Sequence, residues 1–190
     1  MNVSFEKLGL IPYKDAWEYQ ENLLAKNLAI KKANRDRELN QVLGNQEETE
    51  SYLLFCEHPP VFTLGKSGLE EHLLVNNQFL KQKGIEYYKT NRGGDITFHG
   101  PEQLVAYPIF DLERIKPDIV LYMRNLEEVI IQTMMTFGIK TERSQGETGV
   151  WIDTDIPHRA RKICAMGVPH QPLDDNAWIC SKYQHRFELF

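Results

Sequence analysis

The sequence predicts an α+β fold in which a mixed or antiparallel sheet is flanked by helices. Three observations lead to this prediction: an amphipathic segment near the N-terminus, a central series of short apolar segments separated by glycine and proline turns, and a second amphipathic segment after them. The chain has 190 residues, of which 42% are hydrophobic and 26% are charged. This length and composition are typical of one globular domain.

The first helix is predicted where Ala16, Tyr19, Leu23 and Ile30 share one helical face. The polar, charged run of residues 31–50 then indicates the end of that helix and a surface loop.

Strands are predicted where short apolar runs are bounded by turn residues. They cover residues 51–57, 61–64, 85–90, 95–99 and 104–110, and a short helix at 76–83, closed by Gly84, lies between the second and the third of them. The centre of the chain is therefore predicted to be sheet.

The second long helix is predicted with Pro117 at its first position. Apolar residues keep a 3.6-residue period over residues 119–137, and Gly138 ends the run. Two short strands are predicted after it, at residues 148–152 and 163–168.

Charge and cysteine usage exclude several classes of protein. The net charge is -5 and no basic run stands out, so the sequence lacks the electrostatic signature of nucleic-acid binding. We expect no export signal and no membrane span, because no stretch approaches the roughly 20 apolar residues that a span requires. Cys56, Cys164 and Cys180 form neither a disulfide framework nor a zinc pattern, which favours a cytoplasmic location.

The most unusual segment is RGGDITFHGP at residues 92–101, which combines two glycines, a guanidinium, a hydroxyl and an imidazole in one strand-turn-strand unit. Arg92 could pair with a carboxylate or phosphate, and Thr97 and His99 would share one face of a strand. A wall of a binding site is one interpretation. The other is a glycine-rich turn with an exposed arginine and a hydrogen-bonded histidine.

Lys162 stands at the start of an apolar run, where a partly buried lysine could activate a thiol. If the segment is a strand, Cys164 lies on the same side. The alternative is a surface lysine in a basic trio with Arg159 and Arg161. Cys56 and Cys164 are most simply small buried hydrophobic residues.

Four segments in order carry a family resemblance: YLLFCEHPPVFTLGKSG at 52–68, RGGDITFHGPEQLVAYPIFDL at 92–112, GETGVWI at 146–152 and RKICAMGV at 161–168. Together they resemble the lipoyl(octanoyl) transferases, which have the biotin and lipoate protein ligase fold. The sequence departs from the usual family residues at Lys66, Phe98, Glu102 and Cys164, and none of these changes removes a reacting group.

The resemblance implies a two-step acyl transfer without ATP, metal or cofactor. A cysteine thiolate takes octanoyl from the acyl carrier protein, and the lysine amine of a lipoyl domain then attacks the acyl-enzyme. It further implies that Lys162 lowers the pKa of the nucleophilic cysteine. The acyl pocket would be lined by Arg92, Gly93, Gly94, Asp95, Ile96, Thr97, Phe98, His99, Ala165, Met166 and Gly167.

The implied partners are octanoyl-acyl carrier protein, the lipoyl domains of 2-oxoacid dehydrogenase complexes and the H protein of the glycine cleavage system. An ATP-dependent lipoate or biotin ligase stays open as an alternative, and so does a non-catalytic module that binds acyl groups or lipoyl domains. Acyl-enzyme formation and adenylate exchange would separate these three classes.

The resemblance stops after residue 168. The family continues to a catalytic cysteine in a proline-cysteine-glycine context, whereas Cys180 stands in the context WICS. One choice of codons for residues 169–190, read one nucleotide later, spells RTSRWMTMHGFAVNINTDLNY, which resembles the next family segment. We therefore expect residues 1–168 to be an incomplete octanoyltransferase domain and residues 169–190 to be an out-of-frame tail that lacks the cysteine.

Overall fold

The computed structural model describes residues 2–42, 44–156 and 158–167, together with the backbone of residues 179–180 and 188–189. Its strands are β1 (Val3–Leu10), β2 (Ser51–Glu57), β3 (Val61–Leu64), β4 (Glu86–Lys89), β5 (Ile96–His99), β6 (Leu104–Asp111), β7 (Val150–Ile152), β8 (Arg161–Cys164), β9 (Ile179–Cys180) and β10 (Glu188–Leu189). Its helices are α1 (Tyr13–Leu39), α2 (Asn77–Lys83) and α3 (Ile119–Thr136). The predicted α+β class is confirmed.

The strands form three sheets. The largest runs in the order β1-β2-β6-β10, and β9 pairs with the other end of β6. In it β1 is parallel to β2, whereas β2 and β6 are antiparallel. The second sheet has the order β4-β3-β5, again with one parallel and one antiparallel pair, and β7 and β8 form an antiparallel ribbon. The sheets are mixed, as predicted.

Alternation along β2 and β6 builds a hydrophobic core on each face of the largest sheet. Tyr52, Leu54 and Cys56 pack with Ala16 of α1 on one face. The residues that alternate with them along β2 pack toward α3 and the β7–β8 ribbon on the other face, in a cluster whose buried members include Ala106 and Val150. The sequence of a strand that is covered on both faces is a continuous apolar run, and for this reason the sequence predicted β2.

The strand β1 was not predicted. Most of its residues are exposed, and it occupies the edge of the largest sheet beside β2. An edge strand of this kind buries too little of either face to leave a clear alternating pattern in its sequence.

The first helix is longer than predicted, because it continues through Leu39 and does not end after Ile30. Its last turns are exposed and are tied to the following loop by Asn34, whose side chain bonds the N–H of Glu47 at 3.0 Å and its carbonyl at 2.7 Å. Charged residues with high helix propensity can extend a helix over the surface once such contacts hold it.

The start of α3 also differs from the prediction. Asp118 is the N-cap and accepts a hydrogen bond from the Leu121 N–H at 2.9 Å, so Pro117 lies before the helix and not at its first position. A carboxylate that binds an otherwise unpaired amide sets the boundary more strongly than the proline.

The two strands after α3 are shorter than predicted. The strand β7 begins at Val150, because the backbone of Gly149 has a φ of +109°. The strand β8 starts at Arg161 and ends at Cys164, so Lys162 lies inside it and residues 165–167 follow it.

In the described ranges no helix is both long enough and apolar enough to cross a membrane. The predictions for Val168 and for the tail, residues 169–190, lie outside the described residues, apart from the backbone of β9 and β10. Those two strands pair antiparallel with β6, at Phe110–Asp111 and at Leu104–Val105 respectively.

Candidate active site

Two glycine-containing turns lie against each other at one end of the second sheet. The N–H groups of Gly65, Lys66 and Ser67 donate to the carbonyls of Asp95, Arg92 and Gly94, at 3.1, 2.9 and 3.2 Å. A Cβ on Gly65 would lie 2.2 Å from the Gly94 carbonyl oxygen, so this approach requires glycine.

Arg92 is buried between these turns, with 5% of its surface exposed. Its Nη2 donates to the carbonyls of Thr63 at 2.6 Å and Asp95 at 2.8 Å, its Nη1 donates to the Gly93 carbonyl at 3.0 Å, and its Nε reaches the Thr63 hydroxyl at 3.3 Å. Burial lowers the pKa of this guanidinium below its usual range. The exposed arginine of the alternative interpretation is therefore wrong, and Arg92 binds the protein's own backbone.

A cavity of about 450 Å³ opens beside Arg92. It is bounded by the turn after β4, the loop before β7, the strand β8 with the segment after it, and one residue of α3. Its lining residues are Arg92, Gly93, Gly94, Asp95, Thr97, Met123, Gly146, Glu147, Thr148, Lys162, Ala165, Met166 and Gly167. The two predicted groups of site residues, far apart in sequence, thus meet in one cavity.

Three of the predicted lining residues do not line this cavity. Ile96 and Phe98 alternate with Thr97 along β5, and the ring of Phe98 packs on Phe62 at 5.1 Å between centroids. His99 is fully buried, its Nδ1 lies 3.0 Å from Oε1 of Gln103, and its ring packs against those of Tyr13 and His58. Thr97 and His99 do share one face of β5, because alternate residues of a strand point to the same side.

Lys162 projects from β8 toward the cavity and is partly buried, with 31% of its side chain exposed. Its Nζ lies 3.4 Å from Oε2 of Glu147 and 4.6 Å from the centroid of the Trp151 ring. The ammonium is therefore held between a carboxylate and an aromatic face, and not free on the surface as a member of a basic trio.

The loop that carries Glu147 is fastened by a buried carboxylate of α3. Glu127 has 1% of its side chain exposed and accepts the Gly149 N–H at 3.0 Å. It also pairs with Arg124 at 2.7 Å and with Arg143 at 3.0 Å. A Cβ on Gly149 would meet the Cys164 carbonyl oxygen at 2.3 Å, so the loop packs directly on β8.

Sequence reasoning missed four lining residues and the anchor Glu127. Gly146, Glu147 and Thr148 lie in the GETGVWI segment, which contributed to the family resemblance but was not assigned to the site. Met123 follows the ordinary apolar period of α3, which carries no signal of a cavity.

Neither described cysteine side chain is suited to nucleophilic attack. Cys56 and Cys164 are both buried and free. Burial raises the pKa of Cys56 to about 12 and raises the pKa of Cys164 as well, although Lys162 opposes the second shift. Both keep their protons at neutral pH. Among the described residues there is also no cluster of three metal-binding side chains.

Thiol chemistry tests this burial. In a Cys180→Ser variant, iodoacetamide near pH 8 should leave the folded chain unmodified and should label both remaining cysteines in urea. Intact mass measures the labelling. Alkylation of the native chain on the time scale of a free thiol would contradict the buried placement.

The same thiols predict a fall in stability at alkaline pH. An unfolded thiol ionises near pH 9, whereas Cys56 keeps its proton until the pH approaches about 12. This contribution to stability is present in full below about pH 9 and is lost as the pH rises through about 12. Urea unfolding across this range measures it, and a Cys56→Ala variant should show a weaker dependence on pH.

Comparisons of the sequence find relatives of this chain among known proteins. A family model described as the lipoyl protein ligase A/B catalytic domain matches residues 12–172. The octanoyltransferase of Christiangramia forsetii is 52% identical over 166 residues, which cover 87% of this chain and 68% of that protein. The octanoyltransferase of Cytophaga hutchinsonii is 51% identical over 167 residues, covering 88% of this chain and 67% of that protein.

Solved structures show the same fold at low sequence identity. The bipartite lipoate protein ligase of Thermoplasma acidophilum superposes with a TM-score of 0.59 at 18% identity, over 90% of this chain and 57% of that chain. LipL1 of P. falciparum in complex with lipoate has a TM-score of 0.60 at 13% identity, over 98% of this chain and 46% of that chain. The chain thus spans about half the length of these structures and about two thirds of the curated relatives.

Proposed function

The chain belongs to the lipoyl protein ligase A/B catalytic-domain family. From this membership we propose that it is the part of an octanoyltransferase of lipoate biosynthesis that binds the acyl group. By family it is an enzyme, since relatives of about 50% identity carry that activity in their names. The observation that carries the proposal is the cavity in which Lys162 meets the turn of Arg92 and residues 165–167.

The proposed chemistry runs in two steps. A cysteine thiolate attacks the octanoyl thioester of an acyl carrier protein, the carbon–sulfur bond breaks, and the carrier thiol leaves with a proton. The amine of a lysine on a lipoyl domain then attacks the acyl-enzyme, an amide forms, and the cysteine thiol is released. A thioester is more reactive than an amide, so neither step needs ATP.

Lys162 is proposed to favour the thiolate form of that cysteine, because an ammonium close to a thiol stabilises its anion. The backbone of Gly93 and Gly94, together with Ala165 to Gly167, is proposed to line the octanoyl chain. Acyl carrier proteins and lipoyl domains are the corresponding partners, and the individual lipoyl proteins named from the resemblance stay predictions, as does a cytoplasmic location.

The nucleophile is proposed to lie outside the cysteines described here, because Cys56 and Cys164 are buried and protonated. The side chain of Cys180 is outside the described residues. One choice of codons for residues 169–190 resembles the next family segment when it is read one nucleotide later. This supports a single inserted nucleotide after the Val168 codon.

Sequencing the coding DNA across the Val168 codon and beyond is the first test. We expect one extra nucleotide relative to the genome, and we expect the chain in the corrected frame to form an octanoyl-enzyme. The 190-residue chain should form none when mixed with octanoyl-acyl carrier protein. Intact mass distinguishes the two outcomes, and modification of an added lipoyl domain is the second readout.

Within the corrected chain, Lys162→Met should slow acyl-enzyme formation by about a hundredfold, the usual range for a lost proton-handling group. Lys140→Met is the matched control, because Lys140 is an exposed lysine that does not line the cavity. Octanoyl transfer at equal rates by both variants would contradict the role assigned to Lys162, and transfer that requires ATP would contradict the transferase itself.

A further inference from the structure

Among the residues that the structure describes, the charged side chains that line the cavity are two cations, Arg92 and Lys162, and two carboxylates, Asp95 and Glu147. A cavity that binds a free carboxylate or phosphate normally offers it an unengaged cation. Whether an anionic acid or a neutral acyl derivative can bind therefore depends on the partners that the two cations already have.

Arg92 offers little to an anion. All three guanidinium nitrogens donate to carbonyl or hydroxyl oxygens of the protein, and the group is buried behind the turn that it supports. A ligand anion could engage it only by displacing backbone carbonyls of Thr63, Gly93 or Asp95, and each would then lose its hydrogen bond to the guanidinium.

Lys162 is also engaged in the cavity. Glu147 lies 3.4 Å from its Nζ, and the Trp151 ring covers a second side at 4.6 Å. Glu147 itself lines the cavity, and its side chain is 57% exposed. The carboxylate of a ligand that approaches Lys162 from the cavity meets the Glu147 carboxylate at the same time, and the two like charges repel.

We propose that Glu147 is a specificity residue, which pairs with Lys162 so that the cavity binds a neutral octanoyl thioester and rejects the free octanoate anion. The inference rests on the proposed octanoyl transfer. It assigns to Glu147 the discrimination between an acyl thioester and the corresponding free acid. A thioester carries no charge at its carbonyl, so it neither competes with Glu147 nor needs a free cation.

The anchoring of the loop makes this arrangement persistent. Glu147 stands between Gly146 and Gly149, which have φ values of +80° and +109°, and the Gly149 N–H is held by the buried carboxylate of Glu127. The backbone position of Glu147 is therefore set from α3, independently of any ligand.

The test compares two probes, octanoyl-pantetheine and sodium octanoate, on the 190-residue chain and its variants. Binding is followed by the amide NMR shifts of Gly146 and Thr148, and the Gly149 amide shift reports whether the loop is intact. The wild-type chain should bind the thioester more tightly than octanoate, which is ionised at neutral pH.

In Glu147→Gln we expect octanoate to bind about fivefold to tenfold more tightly, because one negative charge beside its binding position is gone. Thioester affinity should change by less than about twofold, since the thioester is neutral. Adding Lys162→Met to Glu147→Gln should remove the gain. Glu48→Gln, which neutralises an exposed carboxylate outside the cavity, is the control and should leave both affinities unchanged.

The outcomes separate this inference from the proposed function. If the thioester binds to both chains and octanoate binding does not improve in Glu147→Gln, the role of Glu147 is overturned while the octanoyl site stands. If the thioester does not bind the wild-type chain at all, the cavity is not the acyl site, and both proposals are overturned.

Discussion

Replacing Glu127 with alanine is expected to lower the free energy of unfolding by about 3 kcal/mol, the lower end of the range for removing one partner of a buried ion pair. The carboxylate is 1% exposed and bonds the Gly149 N–H, Arg124 and Arg143. Its removal leaves a buried amide without an acceptor and a cavity beside α3. The two arginines are partly exposed and can turn to solvent, which keeps the loss at the lower end.

The neighbouring residue supplies the control for this prediction. Glu128 lies on the same helix and pairs with Arg143 at 2.8 Å, but it is exposed at the surface. Glu128→Ala should therefore leave stability nearly unchanged, because exposed ion pairs contribute little. Urea unfolding of both variants measures the difference, and equal losses would show that Glu127 is not the anchor of the loop.

Replacing Arg92 with methionine is expected to cost about 3 kcal/mol of unfolding free energy, since the carbonyls of Thr63, Gly93 and Asp95 lose a shared donor in a buried site. Methionine retains most of the apolar stem, so the effect isolates the guanidinium. Arg92→Lys should recover only part of the loss, because an ammonium cannot reach three carbonyls in one plane.

An exposed arginine provides the comparison for Arg92. Arg37 lies in the last turn of α1, and its exposed side chain donates to the Asn45 carbonyl at 3.4 Å. Arg37→Met should unfold close to the wild-type urea concentration. In Arg92→Met we also expect weaker octanoyl-pantetheine binding, because the turn of residues 92–95 forms one side of the cavity. Unfolding at the same urea concentration for both variants would mean that the hydrogen bonds from Arg92 to the backbone carbonyls contribute nothing to stability.

The glycines and the arginine at residues 92–94 illustrate how much of the site could be read from the sequence. Their combination indicated a wall of a binding site, and Arg92, Gly93 and Gly94 do line the cavity. The partner of the guanidinium was mistaken, because the residue types are the same whether arginine binds a ligand anion or backbone carbonyls. Only the packing of the 65–67 turn against the 92–95 turn distinguishes these cases.

By itself the sequence determined the elements whose pattern records burial: the apolar run of β2, the 3.6-residue period of α3, and the family segments around Arg92 and Lys162. These signals are local, because the residues of one strand face or one helical stripe recur at short, regular spacings along the sequence. The exposed edge strand β1 and the polar extension of α1 lack such a pattern, so neither was predicted.

Only the tertiary structure decided which side chains face the cavity. Residues 92–97 and 162–167 meet because two separate strand units pack together, and the alternation of β5 turns Ile96 and Phe98 away while it brings Thr97 in. The anchoring of the Gly149 loop by Glu127, and the pairing of Lys162 with Glu147, are likewise contacts between residues distant in the chain. No local pattern encodes them, since their energy comes from burial and hydrogen bonding that exist only after the elements have packed.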